Sequence, residues 1–304
     1  MRLPEELQFI ANARKPQRTT DARLDGQTCV ITGATSGVGL SAAWRLARGG
    51  AHLVLVSRNN DKAIGVQRQL ESAFATEVSI VLADLAELAD VRRAAEEILA
   101  RHDRIDLLIN SAGVFHTRRA LTSAGLETVF CVNHLAPFLL TRLLLDRMVA
   151  SAPARIIQVN SQGHRFGGLD LDDLDWDRRR YRGLQGYGAA KTAQLLTVWG
   201  LADRLAGTGV TINAIHPGAV RSSIGMNNGL LYRIYKRGFL WWFLKDPAIS
   251  GDAIYYLAAA PEMAGISGRY YNLTIEEKPA AHALDRALDK RVWNVSEELC
   301  GLKR

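Results

Sequence analysis

Short apolar runs alternate with longer amphipathic stretches along most of this 304-residue chain. Each run of strand-forming residues is followed by apolar positions at helical spacing. This alternation is typical of a parallel sheet with helices on both faces, so we predict an α/β fold with one doubly wound parallel sheet. The predicted strands are residues 28–32, 52–57, 78–82, 106–110, 155–160, 210–215 and a short strand near 269–271. The predicted helices cover about 38–47, 61–75, 86–101, 126–150, 187–205, 247–260 and the C-terminus.

The chain divides into a short extension and one domain. Residues 1–24 lack the alternation and are predicted to form an arm or short helix outside the main fold, whereas residues 25–304 show no internal repeat and no linker. Pro137 lies inside the predicted 126–150 helix, where we expect a kink because proline cannot donate the helical hydrogen bond. The segment 167–186 is rich in Asp and Arg, and we predict a solvated loop there rather than a binding site.

Composition and charge narrow the class of protein. Hydrophobic residues make up 48% of the chain and charged residues 23%, which is ordinary for a globular protein and excludes wholesale disorder. The formal net charge is +7, but the arginines are spread along the chain. That distribution favours a basic pocket for an anionic cofactor, and we predict no nucleic-acid partner.

Cysteine usage and the N-terminus bear on location. Cys29, Cys131 and Cys300 stand singly, so we predict neither disulfides nor a metal site and favour a reducing, cytoplasmic compartment. The N-terminus shows no secretory apolar region. We also expect no membrane span, because no apolar run approaches the ~20 residues needed to cross a bilayer.

A strand, a glycine turn and the start of a helix at residues 28–39, TCVITGATSGVG, form the centre of the chain. Such a turn brings backbone N–H groups and the positive end of a helix to one point, which suits a pyrophosphate. Gly33 permits the turn, Gly37 removes a Cβ that would block the phosphates, and Gly39 lets helix and strand approach closely. The stretch predicts dinucleotide binding, although glycines also end strands for structural reasons alone.

The end of the second predicted strand bears on which dinucleotide binds. An acidic residue there would accept the ribose hydroxyls of NAD, but this chain has Ser57 and Arg58. A hydroxyl and a guanidinium suit a 2′-phosphate, so we predict NADP(H) in preference to NAD(H). The alternative is that Arg58 is an exposed residue that begins a loop. Asp84, after the third strand, is predicted to face the adenine edge, to cap the next helix, or both.

Tyr187 and Lys191 stand four residues apart and therefore share one face of a helix. A neighbouring ammonium is expected to lower the pKa of the phenol and suit it to general acid–base catalysis. Surface Tyr–Lys pairs are common, so the interpretation depends on further residues. Ser161 follows the fifth strand and could bond a substrate carbonyl, and Asn133 could hold a water that links Lys191 to solvent. His134 is interpreted as a core histidine.

Together these residues resemble the short-chain dehydrogenase/reductase family. The matching set covers nearly the whole chain from about residue 26: Thr32-Gly33-x-x-x-Gly37-x-Gly39, Asn110-Ser111-Ala112-Gly113, Asn133, Ser161, Tyr187-x-x-x-Lys191 and Pro217-Gly218. The resemblance implies a Rossmann-type domain and a Ser161–Tyr187–Lys191 triad assisted by Asn133. It also implies that the cofactor contacts Gly33, Thr35, Ser36, Gly37, Val38, Gly39, Ser57, Arg58, Asp84, Leu85, Asn110, Ala112, Gly113, Tyr187, Lys191, Pro217, Gly218 and Val220.

Two positions depart from the family pattern, and two features place the chain within it. Ser111 stands where a second Asn is usual, and Asn160 precedes Ser161 where Ser is frequent; neither removes a catalytic group. The long gap from Ser161 to Tyr187 and the C-terminal stretch 268–299 resemble the retinol-dehydrogenase-like branch, which includes relatives of light-dependent protochlorophyllide reductases.

An aromatic and basic excursion at residues 221–246 lies where this family carries its substrate lid. Its centre, residues 230–245, LLYRIYKRGFLWWFLK, offers a large apolar surface flanked by basic residues. We expect a cover for a lipophilic substrate that could also touch a membrane surface; a helix packed into the core is the alternative. By analogy with the family, the helices that begin near Leu126 and Tyr187 could form a homodimer.

The sequence therefore predicts an NADP(H)-dependent oxidoreductase. The reaction expected is hydride transfer at a carbonyl or alcohol carbon of a lipophilic or polycyclic small molecule, with Tyr187 as general acid–base. The alternative is a non-catalytic dinucleotide-binding regulator on the same fold. A sugar-nucleotide epimerase could share the Tyr–Lys pair, but the spacing of Gly33, Gly37 and Gly39 argues against it.

Overall fold

The computed structural model describes residues 12, 15–220, 224–225, 228 and 244–302. The strands, β1 to β8 in chain order, are Thr28–Thr32, His52–Ser57, Val78–Leu82, Leu107–Asn110, Ala154–Val159, Val210–His216, Arg269–Asn272 and Ile275–Glu276. The main helices, α1 to α7, are Gly37–Arg48, Asn60–Ala73, Leu88–Arg101, Ala136–Ala150, Gly183–Arg204, Ala248–Ala259 and Arg286–Leu299. The predicted α/β class is confirmed.

The strands form one sheet in the order β3-β2-β1-β4-β5-β6-β7-β8. All pairs are parallel except β7–β8. The direction of winding reverses between β1 and β4, and ligands of doubly wound sheets bind outside the carboxyl ends of the strands at that point. The fold therefore places a crevice beside Gly33 and the residues that follow Asn110.

Alternate residues of the central strands feed two hydrophobic cores, one on each face of the sheet. Val30, Leu108 and Ile156 pack with helices α3, α4 and α5. Ile31 and Leu53 pack with α1, α2 and α6 on the other face. The strands are buried on both faces, which explains why they read as continuous apolar runs.

The predicted irregularity in the 126–150 region is a π-helical segment rather than a simple proline kink. A helical turn at Thr128–Phe130 leads into a π helix over Cys131–Leu135, and α4 follows with Pro137 in its first turn. Pro137 lacks the N–H that would bond to the carbonyl four residues earlier, so a wider turn before it leaves the helix undisturbed.

Within the described ranges, one helical stretch, Thr128–Ala150, is long and apolar enough by length and composition to cross a membrane. The expectation that no run approaches this length was therefore wrong. Of its most apolar window, 78% is buried inside the protein, so packing in the core accounts for its apolar character.

The polar segment 167–186 is only partly the solvated loop that we predicted. Trp176 is buried, with Arg179 stacked 3.7 Å from its ring centre. Asp175 accepts from the backbone N–H of Glu127 at 2.8 Å, and Asp177 pairs with Arg119. Several of its charges thus fasten the segment to the domain, and helix α5 begins within it.

The described part of the N-terminal extension is bound to the domain. Asn12 donates to the buried carboxylate of Glu277 at 3.1 Å, and Arg18 N–H donates to Thr274 at 2.8 Å. The predicted lid over 221–246 lies mostly outside the described residues, and so does the apolar surface over 230–245 except for its last two positions.

Candidate active site

The glycine turn after β1 is as tight as its sequence predicts. Gly33 has φ of +71°, and a Cβ there would lie 2.7 Å from Ala112 Cα in the loop after β4. Gly37 has φ of +56°. A Cβ on Gly39 would lie 2.8 Å from the carbonyl carbon of Gly33. These positions leave room for backbone alone, which is what a phosphate cradle needs.

Thr32 joins the ends of β1 and β4. Its hydroxyl oxygen accepts from the backbone N–H groups of Ser111 and Ala112, both at 3.0 Å. Asn110 donates to Thr141 at 3.1 Å, while its Oδ1 and the Ser111 hydroxyl are buried without a hydrogen-bond partner among the described residues. Free buried polar atoms beside a glycine cradle fit the polar groups of a dinucleotide.

The carboxyl ends of β2 and β3 hold the residues predicted to select the cofactor. Ser57 is buried and its hydroxyl accepts from Asn59 N–H at 3.2 Å, whereas Arg58 is exposed. Burial and then the charge of Arg58 lower the pKa of His116, which places the guanidinium near the β4 loop. This edge carries positive charge at the position where a carboxylate would favour NAD.

Asp84 does not cap the following helix. Its carboxylate accepts from Ala86 N–H at 3.0 Å and closes the turn after β3, with Leu85 inside that turn. The N-cap of α3 is Glu87 instead. The capping interpretation of Asp84 was therefore wrong, because the helix begins two residues later than predicted.

Asn133 lies in the π-helical segment and is fully buried. Its Oδ1 accepts from Val114 N–H at 2.8 Å and its Nδ2 donates to Val114 O at 2.9 Å. The side-chain amide therefore pairs with both backbone groups of Val114, as the backbone of a neighbouring strand would. A Cβ at Gly113 would approach Asn133 Oδ1 to 3.3 Å, so the loop is held close.

Ser161 follows β5 and is fixed by its neighbours. Its N–H donates to Asn160 Oδ1 at 2.7 Å, and its Oγ accepts from Gly163 N–H at 3.0 Å. Asn160 Nδ2 donates in turn to Lys191 O at 2.9 Å. The residue that departs from the family pattern thus connects the serine to the helix that carries the lysine.

Tyr187 lies in α5 beside Ser161, since a Cβ at Gly163 would meet both the Tyr187 ring and, at 3.3 Å, Ser161 Oγ. Its ring packs edge-on against Phe115, with 5.9 Å between ring centres. Burial raises the pKa of Tyr187, and the nearby hydroxyl of Ser161 opposes this shift. The expected lowering by Lys191 is not met in this structure, because desolvation of the phenolate dominates.

Lys191 is buried one turn beyond Tyr187. Its Nζ donates to Val159 O at 2.8 Å and to Gln194 Oε1 at 3.1 Å, and it lies 6.0 Å from the ring centre of Tyr187. Burial lowers the pKa of Lys191 to about 7. Its hydrogen bonds to the end of β5 orient the ammonium toward the carboxyl edge of the sheet.

The turn after β6 completes this edge. Gly218 has φ of +87°, and Ser250 in α6 donates to Pro217 O at 2.6 Å. Ala219 O accepts from Lys245 N–H at 3.0 Å, in a bridge beside the buried Val220. The turn is held in place over the strand ends.

Three functional neighbours were missed from the sequence. Gly163 and His164 flank the tyrosine and serine, and Gln194 bonds to both Lys191 and Asn160. None belongs to a motif that single-sequence reasoning could use. Gln194 follows Lys191 by three residues, and this helical spacing was the one available signal.

His134 is a core residue, as predicted. It is buried and its Nε2 lies 2.7 Å from Ser296 Oγ. Burial lowers the pKa of His134 to about 3, so the ring is neutral at physiological pH. Among the residues whose placement is described, no group of three or more His, Cys, Asp or Glu side chains could hold a metal ion.

A glycine cradle at the switch between β1 and β4, with a serine, tyrosine and lysine at the ends of β5 and α5, defines the class of dinucleotide-dependent oxidoreductases. The model of the short chain dehydrogenase family matches residues 27–172. Human retinol dehydrogenase 13 is 37% identical over 300 residues, covering 97% of this chain and 90% of the relative.

Solved structures agree with this class. An uncharacterized protein from Mycobacterium paratuberculosis superposes with a TM-score of 0.75 at 28% identity, covering 94% of this chain and 98% of that one. An NAD(P)-dependent gluconate 5-dehydrogenase from Beutenbergia cavernae, with NADP bound at low occupancy, gives 0.67 at 28% identity over 83% and 96% of the chains. This chain belongs to the short-chain dehydrogenase/reductase family, in its retinol-dehydrogenase-like branch, and is an NAD(P)-dependent oxidoreductase acting on alcohol or carbonyl groups.

Proposed function

We propose that this protein is an NADP(H)-dependent oxidoreductase of lipophilic alcohols or carbonyl compounds, with Tyr187 as general acid–base. The observation that carries the proposal is the grouping of Ser161, Tyr187 and Lys191: a Cβ at Gly163 would meet both the Tyr187 ring and Ser161 Oγ, and Lys191 Nζ lies 6.0 Å from the centre of that ring. The bound nicotinamide supplies the chemistry of hydride exchange with the substrate carbon. The side chains of this site transfer the proton and orient the cofactor and the substrate.

Tyr187 holds the proton at the substrate oxygen. Because burial raises its pKa, the phenol is protonated at neutral pH and can donate to an oxygen that gains charge during carbonyl reduction. In alcohol oxidation Tyr187 must first lose its proton, and its phenolate oxygen then accepts the proton of the alcohol. Ser161 Oγ accepts a hydrogen bond from Gly163 N–H, and in this proposal the serine donates its own hydrogen to the reacting oxygen when substrate is bound.

Lys191 orients the cofactor and sets the charge of the site. An ammonium has three hydrogens to donate, and Val159 and Gln194 accept two of them. In this proposal the third donates to a hydroxyl of the nicotinamide ribose. With a pKa of about 7, Lys191 loses its proton as pH rises above neutrality, which weakens this bond.

Preference for NADP(H) is supported by the edge of the sheet. Arg58 is exposed next to the buried Ser57, and after burial its positive charge is the second cause that lowers the pKa of His116. A guanidinium binds a phosphate with two parallel hydrogen bonds. NADP carries such a phosphate on its adenine ribose, whereas NAD has only a hydroxyl there.

An apolar rim beside Tyr187 supports a lipophilic substrate. Phe115 lies against the tyrosine ring, and Phe166 and Leu184 are 51% and 53% exposed. Asn228, at the beginning of the predicted lid, donates to Phe115 O at 2.7 Å and so brings that part of the chain to the same rim. The name of the relative, retinol dehydrogenase 13, points to a lipophilic alcohol. We therefore propose long apolar alcohols and aldehydes of the retinoid type as substrates.

Fluorescence titration with NADPH and NADH, followed by oxidation of NADPH with retinal and with short hydrophilic aldehydes, tests this function. We expect tighter binding of NADPH and turnover of retinal. In Tyr187→Phe, cofactor binding stays nearly intact while turnover falls by about 10²-fold or more. Absence of cofactor binding, or undiminished turnover in the variant, contradicts the proposal.

A further inference from the structure

The segment after Ser161 is held by a buried histidine. Residues Gln162–Phe166 form a 3₁₀ turn, and His164 in its centre has no exposed surface. Its Nδ1 lies 2.7 Å from Ser161 O, and its Nε2 accepts from Ala280 N–H at 3.1 Å. One imidazole therefore joins the serine segment to the chain just before α7.

The two partners determine the protonation of this ring. A carbonyl oxygen can only accept, so Nδ1 carries the hydrogen; a backbone N–H can only donate, so Nε2 carries the lone pair. The opposite tautomer would form neither hydrogen bond. The imidazolium would keep the bond to Ser161 O but could not accept from Ala280 N–H. Burial lowers the pKa of His164 to about 4, which agrees with a neutral ring at pH 7.

Packing fixes the ring and its backbone together. Tyr270 contacts the imidazole edge-on with 5.3 Å between ring centres. The carbonyl oxygen of His164 accepts from the Thr192 hydroxyl at 3.2 Å and lies 2.9 Å from His282 Nε2. The histidine is therefore anchored to α5, to β7 and to the segment before α7.

This anchor lies next to the reacting groups without touching them. The N–H of Gly163, between Gln162 and His164, donates to Ser161 Oγ, and a Cβ on this glycine would overlap the Tyr187 ring. A shift of the turn would move the serine hydroxyl and the surface on which the tyrosine rests.

We propose that His164 is a positioning residue that acts through the carbonyl of Ser161, as the neutral Nδ1–H tautomer, to hold the serine hydroxyl against Tyr187. The proposal rests on the proposed function, in which Ser161 and Tyr187 meet the substrate oxygen. It assigns a role to a residue that the Ser–Tyr–Lys pattern does not include.

Two variants separate the ends of the imidazole. In His164→Asn, Nδ2 replaces Nδ1 and keeps the bond to Ser161, whereas in His164→Gln, Oε1 replaces Nε2 and keeps only the bond from Ala280. Each variant loses one hydrogen bond, so we expect similar losses of thermal stability. We expect kcat of the Gln variant to fall about tenfold with KM changed less than about twofold, and kcat of the Asn variant to fall less than about threefold.

Tyr255→Phe is the matched control, since it removes one hydrogen bond, to Ala22 at 2.6 Å, at the far end of α6. Its kcat should equal that of the wild type. Equal losses of kcat in the Asn and Gln variants, or a Gln variant as active as the wild type, would overturn the proposal.

A second readout needs neither cofactor nor substrate. In ¹⁵N-histidine NMR at pH 7, the imidazole signal that disappears in His164→Asn should show a protonated Nδ1 and a bare Nε2. The Nε2–H tautomer or an imidazolium overturns the proposal even if the enzyme is active. Conversely, inactivity of the wild type with every aldehyde would contradict the proposed function. The NMR experiment would still test the His164 tautomer in that case.

Discussion

Gly163 lies directly against the ring of Tyr187: a Cβ at this position would stand 2.6 Å from Tyr187 Cδ1 and 3.3 Å from Ser161 Oγ. Real Cβ atoms do not approach a ring carbon this closely, so any side chain displaces the tyrosine or the turn. Glycine at 163 is thus a steric condition for the contact between Ser161 and Tyr187.

Gly163→Ala should reduce turnover while leaving the cofactor cradle intact. A displaced general acid no longer meets the substrate oxygen, and errors of about 1 Å can cost about 10²-fold in rate. We expect kcat to fall at least tenfold and NADPH affinity to change little, as measured by steady-state kinetics and fluorescence titration.

Gly65→Ala is the matched control, because Gly65 lies inside helix α2 with open space at its Cβ position. There the added methyl should raise the free energy of unfolding by about 0.4–1 kcal/mol and leave kcat unchanged. A Gly163→Ala enzyme with normal kcat would show that the ring of Tyr187 can yield without loss of function.

Arg58→Asp should shift the preference from NADPH toward NADH. The substitution removes a guanidinium that can bind a 2′-phosphate and adds a carboxylate that repels it. Since a hydrogen bond to a charged group contributes about 1.5–3 kcal/mol, the ratio of the two dissociation constants should change by about 10- to 100-fold. An unchanged ratio would identify Arg58 as an exposed loop residue and nothing more.

The strands were predictable because burial on both faces leaves an unmistakable apolar run. The bounds predicted for β2 and β3 agree with the structure residue for residue. The two-residue strand β8 gave no signal, since its pairing with β7 depends on a turn and not on an apolar pattern. Helix α5 starts four residues before Tyr187, within a polar segment that carries no apolar periodicity.

The candidate site also has features that could be predicted from the sequence and features that could not. Gly33 and Gly39 were identifiable because only glycine fits where two backbone segments approach this closely. The link from Ser161 through His164 to Ala280 spans 119 residues of chain and connects to backbone atoms, which have no sequence signature. The raised pKa of Tyr187 depends on burial, which a four-residue spacing cannot reveal.

Asn160→Ala should weaken both stability and turnover. Asn160 accepts from Ser161 N–H and donates to Lys191 O and to Gln194 Oε1 at 2.8 Å, so its loss leaves buried polar groups unpaired. We expect the free energy of unfolding in urea to fall by about 1–3 kcal/mol and kcat to fall about tenfold. Stability that falls without any change in kcat would mean that this amide holds the core but does not position Ser161.

Stability should decrease as pH falls from about 6.5 toward 4.5. Burial lowers the pKa of His134 to about 3, and burial also lowers the pKa values of His164 and His216 to about 4. The unfolded chain, with histidine pKa values of about 6.5, therefore binds protons in this range that the folded protein does not bind. Each of the three groups reduces the free energy of unfolding by about 1.4 kcal/mol per pH unit once the unfolded state is protonated.

Urea denaturation at several pH values between 7.5 and 4.5 measures this slope. The range excludes Asp25 and Asp90, whose lowered pKa values act only in more acidic solution. Glu127 and Asp289, whose pKa values burial raises, oppose the trend, but three histidines outnumber these two groups. His134→Gln keeps a partner for Ser296 and removes one titrating ring, so the slope should fall by about 1.4 kcal/mol per pH unit. A stability independent of pH, or an unchanged slope in this variant, would show that these histidines are protonated within the folded protein.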